Sequence, residues 1–240
     1  NGVDDATVIN PDADVTDEDT AVTIDVLAND SDLDASDNPL AVASVTQPTD
    51  VNDGVAVNNG GDVTFTPGSN FNSLSPGESG TTTFTYTTDT GSTETVTVTI
   101  NGVDDATVIN PDADVTDEDT AVTIDVLAND SDPDTSDNPL SVASVTQPTD
   151  ANDGTAVNNG GDVTFTPGSN FNSLSPGESG TTTFTYTTDT GVSETVTVTV
   201  NGVDDATVIN PDADVTDEDT AVTIDVLAND SDVDTSDNPL

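Results

Sequence analysis

Closely spaced carboxylates are the side chains of this sequence with the clearest capacity for chemistry. The stretch LANDSDLDASDNPL (residues 27–40) places Asp30, Asp32, Asp34 and Asp37 within eight positions. Two carboxylates about 4 Å apart repel by roughly 4 kcal/mol at an effective dielectric constant of about 20, so a folded loop of this kind needs a counter-charge. The protein cannot supply it, because the chain has 48 Asp and Glu residues and no Lys, Arg or His. The pattern therefore favours bound cations.

Calcium suits these residues better than the other common metal ions. Ca²⁺ accepts about six to eight oxygen ligands in flexible geometry, and alternating carboxylates are a frequent way to provide them. Mg²⁺ demands a stricter octahedron, and Zn²⁺ prefers His and Cys, which the sequence lacks. We therefore predict Ca²⁺ as the cofactor, with Asp30, Asp32 and Asp34 as its first ligands. The alternative is a solvated acidic surface of the kind found in proteins of high-salt environments.

The sequence is a tandem repeat with a period of one hundred residues. Residues 1–100 recur as 101–200 with eight differences, among them Ala35, which becomes Thr135, and residues 201–240 begin a third copy. This length suits one domain per repeat.

We predict a tail of a preceding repeat at 1–5, domains at 6–105 and 106–205, and the first strands of a truncated third repeat at 206–240. An isolated two-stranded piece is marginal in water. We therefore expect the partners of the third copy in continuing chain or, as the alternative, in a strand donated by a neighbouring molecule.

Four segments of each repeat alternate apolar and polar residues with the period of two that is typical of strands. In the first repeat they are 21–27, 62–66, 82–88 and 94–100, and weaker strands are predicted near Val15, at 40–45 and at 54–58. Turn-forming Gly, Pro and Asn residues separate them. Seven short strands predict an all-β Greek-key sandwich per repeat, with no helix longer than one turn. The predicted core comprises Val22, Ile24, Val26, Val63, Phe65, Phe84, Tyr86, Val96 and Val98.

The acidic residues are concentrated in the first forty positions of each repeat. If the last strand ends near Ile100, Asp104 and Asp105 follow it, and we expect them near the TDEDT stretch (116–120) and the acidic loop of the next repeat. Asp12, Asp50, Asp62 and Asp89 are instead interpreted as turn formers. The predicted metal ligands are Asp30, Asp32, Asp34, Asp37, Asp104, Asp105, Asp117, Glu118, Asp119, Asp130, Asp132, Asp134, Asp137, Asp204, Asp205, Glu218, Asp230, Asp232 and Asp234.

The composition argues against several classes of function. A formal net charge of −48 disfavours binding to nucleic acid and to anionic membranes. No apolar run approaches the roughly 18 residues of a membrane-spanning helix, so no membrane insertion is expected of this segment. Without His, Lys or Cys, the Ser and Thr residues lack an ordinary activating base, so we predict no enzymatic activity.

Several motifs resemble a known family in their order along the chain: DEDTAVTIDVLANDSD, SVTQP, VTFTP, NFN, TFTYTTD and TVTVTINGVDDA. They are similar to the VCBS-type, cadherin-like repeats of giant bacterial RTX-type surface adhesins. The resemblance implies immunoglobulin-like or cadherin-like sandwiches, secretion, and a place in long extracellular stalks stiffened by calcium. The sequence departs from the family's D-x-D-G-D loop at Ala35 and Thr135, where the family has Gly.

Two functions remain open at this point. The first is structural: a calcium-stiffened stalk of a surface adhesin or the body of an extracellular filament, whose partners are neighbouring repeats of the chain and other copies of it. The alternative is a binding module that recognises carbohydrate or another surface through its loops or Thr-rich faces. Either function predicts an extracellular, cell-surface or secreted protein.

Overall fold

The structure is a computed structural model that describes residues 5–238 and residue 240. The predicted tail at 1–5 lies outside the described residues except for Asp5. The chain divides into two compact units, Asn1–Ala106 with Asp132–Asn138 and Thr107–Ser131 with Pro139–Leu240. Residues 132–138, which belong to the second sequence repeat, therefore lie in the first unit. Within the described ranges, no helix is long and apolar enough to cross a membrane.

The first unit contains seven strands in two sheets. They are β1 (Asp12–Asp17), β2 (Val22–Ile24), β3 (Val42–Thr46), β4 (Gly54–Asn58), β5 (Val63–Pro67), β6 (Ser79–Thr88) and β7 (Thr93–Asn101). One sheet has the order β1-β7-β6-β3 and the other the order β2-β5-β4. This architecture confirms the predicted all-β sandwich of seven strands.

The second unit repeats the arrangement. Its strands are β8 (Asp112–Asp117), β9 (Val122–Ile124), β10 (Val142–Thr146), β11 (Gly154–Asn158), β12 (Val163–Pro167), β13 (Ser179–Thr188) and β14 (Ser193–Asn201). The sheets have the orders β10-β13-β14-β8 and β11-β12-β9. Each acidic loop of the second and third sequence copies contains a single-turn 3-10 helix, Thr135–Asp137 and Thr235–Asp237.

The alternating apolar residues form the core between the two sheets. Phe65 and Phe84 stack across the core with ring centroids 5.9 Å apart, and Tyr86 is fully buried beside them. Eight of the nine predicted core residues are buried. Val22 differs, because the short strand β2 lies at the edge of its sheet and leaves this side chain only partly covered.

The parallel pairing of β1 with β7 matters most for the site. It runs in register from Asp12 opposite Val96 to Asp17 opposite Asn101. The first strand therefore ends beside the last strand, and the Glu18 backbone amide donates to the Asn101 carbonyl oxygen at 3.0 Å. The segment that leaves β7 thus passes directly over Glu18. The second unit has the same parallel pairing between β14 and β8.

The third sequence copy does not fold as the first two do. Between residues 206 and 238 the structure has no strand, only an isolated bridge between Val208 and Ser231. Val215 and Val226 are 92% and 54% exposed. In the first copy, the corresponding segments pair with β7 and β5. The 240-residue sequence does not contain the equivalents of these two strands in the third copy. The described residues of 206–240 therefore form none of the predicted strands, and the assignment of this segment as the start of a third repeat stays a prediction.

Candidate metal centre

Backbone amides of the linker (residues 101–106) orient two carboxylates in the first unit. The Val103 amide donates to Oε1 of Glu18 at 2.9 Å. The Asp105 amide donates to Oδ2 of Asp134 at 2.8 Å. Each carboxylate therefore has one oxygen fixed by the linker and one oxygen left for another contact.

The remaining oxygens of these two carboxylates have no protein partner. Glu18 is 4% exposed and Asp134 is 0% exposed. Glu18 Oε2 and Asp134 Oδ1 are buried, and neither accepts a hydrogen bond from any residue that the structure describes. Glu18, Asp105 and Asp134 offer carboxylate oxygens that all lie within 4.8 Å of one another. Buried anionic oxygens without a partner are strongly unfavourable, so this arrangement favours either a bound cation or protonation.

A second group of carboxylates shares Asp134. Asp104, Asp134 and Asp137 also offer oxygens within 4.8 Å of one another. Asp132 fixes the conformation of the acidic loop (residues 129–138), because its Oδ1 accepts a hydrogen bond from the Asp134 amide at 2.9 Å. The Asn138 side chain closes the loop by donating to the Asp134 carbonyl oxygen at 3.0 Å. Asp134 can therefore contribute to two adjacent cation positions.

The second unit contains the same arrangement at positions one hundred residues later. The Val203 and Asp205 amides donate at 2.9 Å to Glu118 Oε1 and Asp234 Oδ2, respectively. Glu118 Oε2 and Asp234 Oδ1 are again buried without a hydrogen-bond partner in the described chain. The carboxylate groups are Glu118 with Asp205 and Asp234, and Asp204 with Asp234 and Asp237. The site is thus a recurring feature of the repeat.

The first acidic loop carries a group of its own. Asp32, Asp34 and Asp37 offer oxygens within 4.8 Å of one another. The Asp5 amide donates to Asp34 Oδ2 at 2.7 Å, as Asp105 does to Asp134. The hydroxyl of Thr7 donates to Asp32 Oδ2 at 2.7 Å and lowers the pKa of that carboxyl group.

The electrostatics of the first unit oppose full ionisation in the absence of a cation. Burial is the main cause that raises the pKa of Glu18, and the charges of Asp105 and Asp134 raise it further, against the lowering effect of the Val103 amide. Burial also raises the pKa of Asp105, followed by the charges of Asp19 and Asp134. A bound cation would reverse both effects by favouring the charged carboxylates.

Asp30, predicted as a metal ligand, lies in a different environment. Its Oδ1 accepts the Asn10 amide at 2.9 Å and its Oδ2 accepts the Tyr86 hydroxyl at 2.6 Å. Asp130 makes the same two contacts with Asn110 and Tyr186. Asp30, Asp130 and Asp230 belong to none of the metal-binding groups found among the described residues. The prediction missed that both oxygens of this carboxylate accept hydrogen bonds, which anchor the loop to the sandwich.

Asp12 lies beside Asp30 and is not a turn residue as predicted. It is the first residue of β1, and its Oδ2 is buried with no hydrogen-bond partner in the part of the chain described. Burial, followed by the charge of Asp30, raises the pKa of Asp12 to about 6. Burial and the charge of Asp130 raise the pKa of Asp112 to about 6 in the same way. The Asp12 and Asp30 carboxyl groups thus form an acidic pair in the first unit, as Asp112 and Asp130 do in the second.

The predicted proximity of Asp104 and Asp105 to the TDEDT stretch of the next repeat stays a prediction, whereas both residues group with Asp134 of the next acidic loop. Asp105 lies with Glu18 of its own sequence repeat, because the parallel β1–β7 pair brings the end of β1 to the linker. Glu118 lies instead with Asp205 and Asp234. The predicted ligands that join no group in the described chain are Asp117, Asp119, Asp132, Glu218 and Asp232, besides Asp30 and its two equivalents. Asp132 and Asp232 instead shape their loops by accepting the amides two residues later.

Sequence reasoning missed Glu18 and Asp237 as candidate ligands. Both could have been found from the repeat, because Glu18 corresponds to Glu118 and Asp237 to Asp137 after a shift of one hundred residues. All the grouped ligands are carboxylates, a donor set that Ca²⁺ accepts readily and Zn²⁺ does not prefer. The residues present therefore fit a hard divalent cation.

Comparison with solved structures finds similar folds among cadherins. Mouse cadherin-23 EC22-24 is 18% identical over 82% of this chain and 63% of that chain, with a TM-score of 0.45. Protocadherin gamma C5 EC1-3 is 12% identical over 80% of this chain and 65% of that chain, with a TM-score of 0.47. Protocadherin gamma B7 EC1-4 is 16% identical over 88% of this chain and 54% of that chain, with a TM-score of 0.43. This chain thus spans between about half and two thirds of each of these structures.

Comparison with protein families gives a more direct result. Residues 4–101 and 104–202 each match the bacterial Ig domain family (Big_9). A search of curated proteins finds no match. The family match is broader than the predicted VCBS-type adhesin repeats, and that finer resemblance stays a prediction. Because the two matches cover most of the sequence and each coincides with a two-sheet sandwich of seven strands, the chain belongs to the bacterial Ig domain family.

Proposed function

We propose that this chain is a non-enzymatic structural segment of an extracellular protein in which Ca²⁺ fixes each acidic loop to the sandwich that precedes it in sequence. The protein would be the stalk of a surface adhesin or the body of an extracellular filament. The observation that carries the proposal is the pair of buried oxygens, Glu18 Oε2 and Asp134 Oδ1, which have no hydrogen-bond partner among the described residues. A chain without Lys, Arg or His can compensate such charges only with a cation from solution or with protons.

The three parts of the site have different roles. Glu18 is fixed on the sandwich, Asp104 and Asp105 lie in the linker, and Asp134 and Asp137 lie in the acidic loop. A divalent cation held by these residues supplies an electrostatic cross-link between three segments that are otherwise mutually repulsive. Affinity in the range of extracellular modules, roughly 0.1–1 mM, is expected for such a site.

A rise in thermal stability that is specific to Ca²⁺ tests the proposal. The unfolding temperature should be higher in CaCl₂ than in EDTA at the same ionic strength, because only the folded chain presents the grouped carboxylates. MgCl₂ at the same concentration should give a smaller rise, because Mg²⁺ requires a stricter octahedral site. Equal unfolding temperatures in CaCl₂ and EDTA would contradict the proposal.

A matched pair of variants distinguishes the site from general charge screening. Glu18→Gln with Glu118→Gln removes one buried ligand from each unit and should abolish most of the rise caused by Ca²⁺. Asp50→Asn with Asp150→Asn removes the same formal charge at exposed loop positions, where the side-chain oxygen accepts the amide of Asn52 or Asn152. This control should retain the rise. A loss of equal size in both variants would indicate diffuse screening by the counter-ion rather than a defined site.

A further inference from the structure

The acidic loop is attached to the sandwich by a second set of contacts that involves none of the grouped carboxylates. The Thr135 amide donates to the Ser73 carbonyl oxygen at 3.2 Å. The Ser136 amide donates to Ser75 Oγ at 2.8 Å. The Thr135 hydroxyl donates to Glu78 Oε2 at 2.9 Å. Residues 73–78, called here the docking loop, therefore bind the backbone and side chain of the acidic loop at two successive positions.

The docking loop is held in shape by its own hydrogen bonds. Ser75 is 3% exposed, and its amide donates to Glu78 Oε2 at 3.0 Å while its carbonyl oxygen accepts the Glu78 amide at 2.9 Å. The Glu78 carbonyl oxygen accepts the Gly102 amide at 3.1 Å, which ties the docking loop to the linker. The Ser75 amide, followed by the Thr135 hydroxyl, lowers the pKa of Glu78. Glu78 is thus a charged acceptor oriented toward Thr135.

The second unit repeats these contacts with its own residues. The Ser236 amide donates to Ser175 Oγ at 2.9 Å, and the Thr235 hydroxyl donates to Glu178 Oε2 at 3.2 Å. The Thr235 amide donates to the Ser173 carbonyl oxygen at 3.3 Å. The recurrence in a second unit argues that the contact is encoded by the repeat.

The residue at the centre of the contact differs between copies of the acidic loop. Thr135 and Thr235 donate through a side-chain hydroxyl, whereas the first loop has Ala35 at the same position. Ala35 retains a backbone amide but has no side chain that can donate to a Glu78 equivalent. A loop with Ala at this position therefore forfeits a hydrogen bond to a charged acceptor, which is stronger than a bond between neutral groups.

We infer that the docking loop is a metal-independent binding surface for the acidic loop of the following repeat, and that it selects Thr or Ser over Ala at the position of Thr135. The contact holds Asp134 and Asp137 near the linker before any cation binds, which reduces the ordering that cation binding must otherwise supply. Thr135 and Ser75 are positioning residues, since neither belongs to the carboxylate groups. Acidic loops with Thr at this position therefore bind the docking loop more tightly than acidic loops with Ala do. Only the effect on cation affinity rests on the proposed function.

Hydrogen exchange in EDTA tests the docking contact without any metal. The amides of Ser136 and Ser236 should be protected in the 240-residue chain, because each donates to a buried Ser Oγ. Thr135→Ala with Thr235→Ala should increase their exchange rates by about tenfold, the effect of losing one charge-assisted hydrogen bond. Thr135→Ser with Thr235→Ser should restore the protection. Unchanged exchange in the Ala variant, or failure of the Ser variant to restore it, would overturn the inference.

Calcium titration by calorimetry tests the consequence for affinity. The Ala variant should bind Ca²⁺ about three- to tenfold more weakly than the wild type, and the Ser variant should bind with wild-type affinity. Ala35→Thr is the matched control, because no hydrogen bond from residue 35 or 36 to a docking loop exists in the described chain. It should change neither exchange nor affinity. If the Ala variant alters hydrogen exchange but not Ca²⁺ affinity, only the link between the docking contact and Ca²⁺ affinity is contradicted. If no variant binds Ca²⁺, the proposed function is refuted, and the exchange experiment still tests the docking contact.

Discussion

At the scale of single residues, the side chains that define the site are those whose hydrogen bonds are incomplete. Glu18 and Asp134 each use one oxygen for a linker amide and leave the other buried without a partner among the described residues. Asp30, which looks equivalent in the sequence, uses both oxygens in hydrogen bonds. The D-x-D spacing therefore pointed to a loop that carries grouped carboxylates, but it could not say which of them anchor the loop and which leave an oxygen without a hydrogen-bond partner.

The Asp12–Asp30 pair predicts an unusual dependence of stability on pH. The folded pKa of Asp12, about 6, lies above its ordinary value of 3.8, so its protonated form contributes stability in full below the ordinary pKa and loses it as the pH rises through 6. Asp12→Asn with Asp112→Asn should remove this loss, because the amide carries no charge. In EDTA the variant should be more stable than the wild type above about pH 7, and the difference should vanish toward about pH 4.

Thermal unfolding at a series of pH values measures this effect. Asp62→Asn with Asp162→Asn is a suitable control, because Asp62 and Asp162 lie in turns far from Asp12 in sequence and each accepts a hydrogen bond from the side-chain amide of a neighbouring Asn. A constant difference between the Asp12 variant and the wild type across the pH range would contradict the assignment of Asp12 as the titrating group.

At the scale of secondary-structure elements, the sequence predicted where the strands lie but not which loops contact one another. Period-two alternation located the segments of the core because one face of each sheet is buried. The parallel β1–β7 pair has no signature in local sequence, since it joins residues more than eighty positions apart. That pair brings Asp105 to Glu18, a contact that local sequence does not indicate. The docking loop was missed for the same reason, because Ser75 and Glu78 acquire their role only through contact with a loop of the following repeat.

Gly102 lies where the linker packs closely against the docking loop. A Cβ atom at this position would lie 2.1 Å from the Leu74 carbonyl oxygen and 2.4 Å from that of Ser75. Gly102→Ala with Gly202→Ala should therefore displace the docking loop and destabilise each unit by about 1–3 kcal/mol. Gly61→Ala with Gly161→Ala should be nearly neutral, because a Cβ atom there meets nothing within 4 Å. Denaturant unfolding of both variants measures the difference, and equal stabilities would contradict the close packing.

At the scale of the whole chain, the third copy lacks the segments with which β1 and β2 pair in the first. The segments equivalent to β1 and β2 in the third copy have the same sequence as in the first two, yet form no strand between residues 206 and 238. Their local preference for strand is therefore insufficient without the equivalents of β5 and β7. The acidic loop of the third copy nevertheless contacts residues 173–178, the equivalent of the docking loop in the second unit, through Thr235 and Ser236. The loop and the sandwich of one sequence repeat thus fold as parts of different units.

Completing the third copy should convert its exposed segments into strands. Appending a copy of residues 141–200 after Leu240 supplies the missing partners, so residues 212–217 and 222–224 should become protected from hydrogen exchange. A Gly/Ser-rich extension of the same length is the control and should give no protection. Lack of protection in the completed chain would mean that factors other than missing partners keep these segments from pairing.

The parallel neighbours β1 and β7 also determine how a repeat responds to tension. The chain enters through the start of β1 and leaves through the end of β7, so a pull on both ends drives the two strands past each other along their common axis. All six residue pairs from Asp12–Val96 to Asp17–Asn101 then bear load together. Attachment of force probes at Pro11 and Ser92, near the same end of both strands, would instead separate the pairs one after another. Single-molecule pulling should therefore record a much higher rupture force through the chain ends than through Pro11 and Ser92. The mechanical resistance of a sandwich to stretching would then come from its first and last strands.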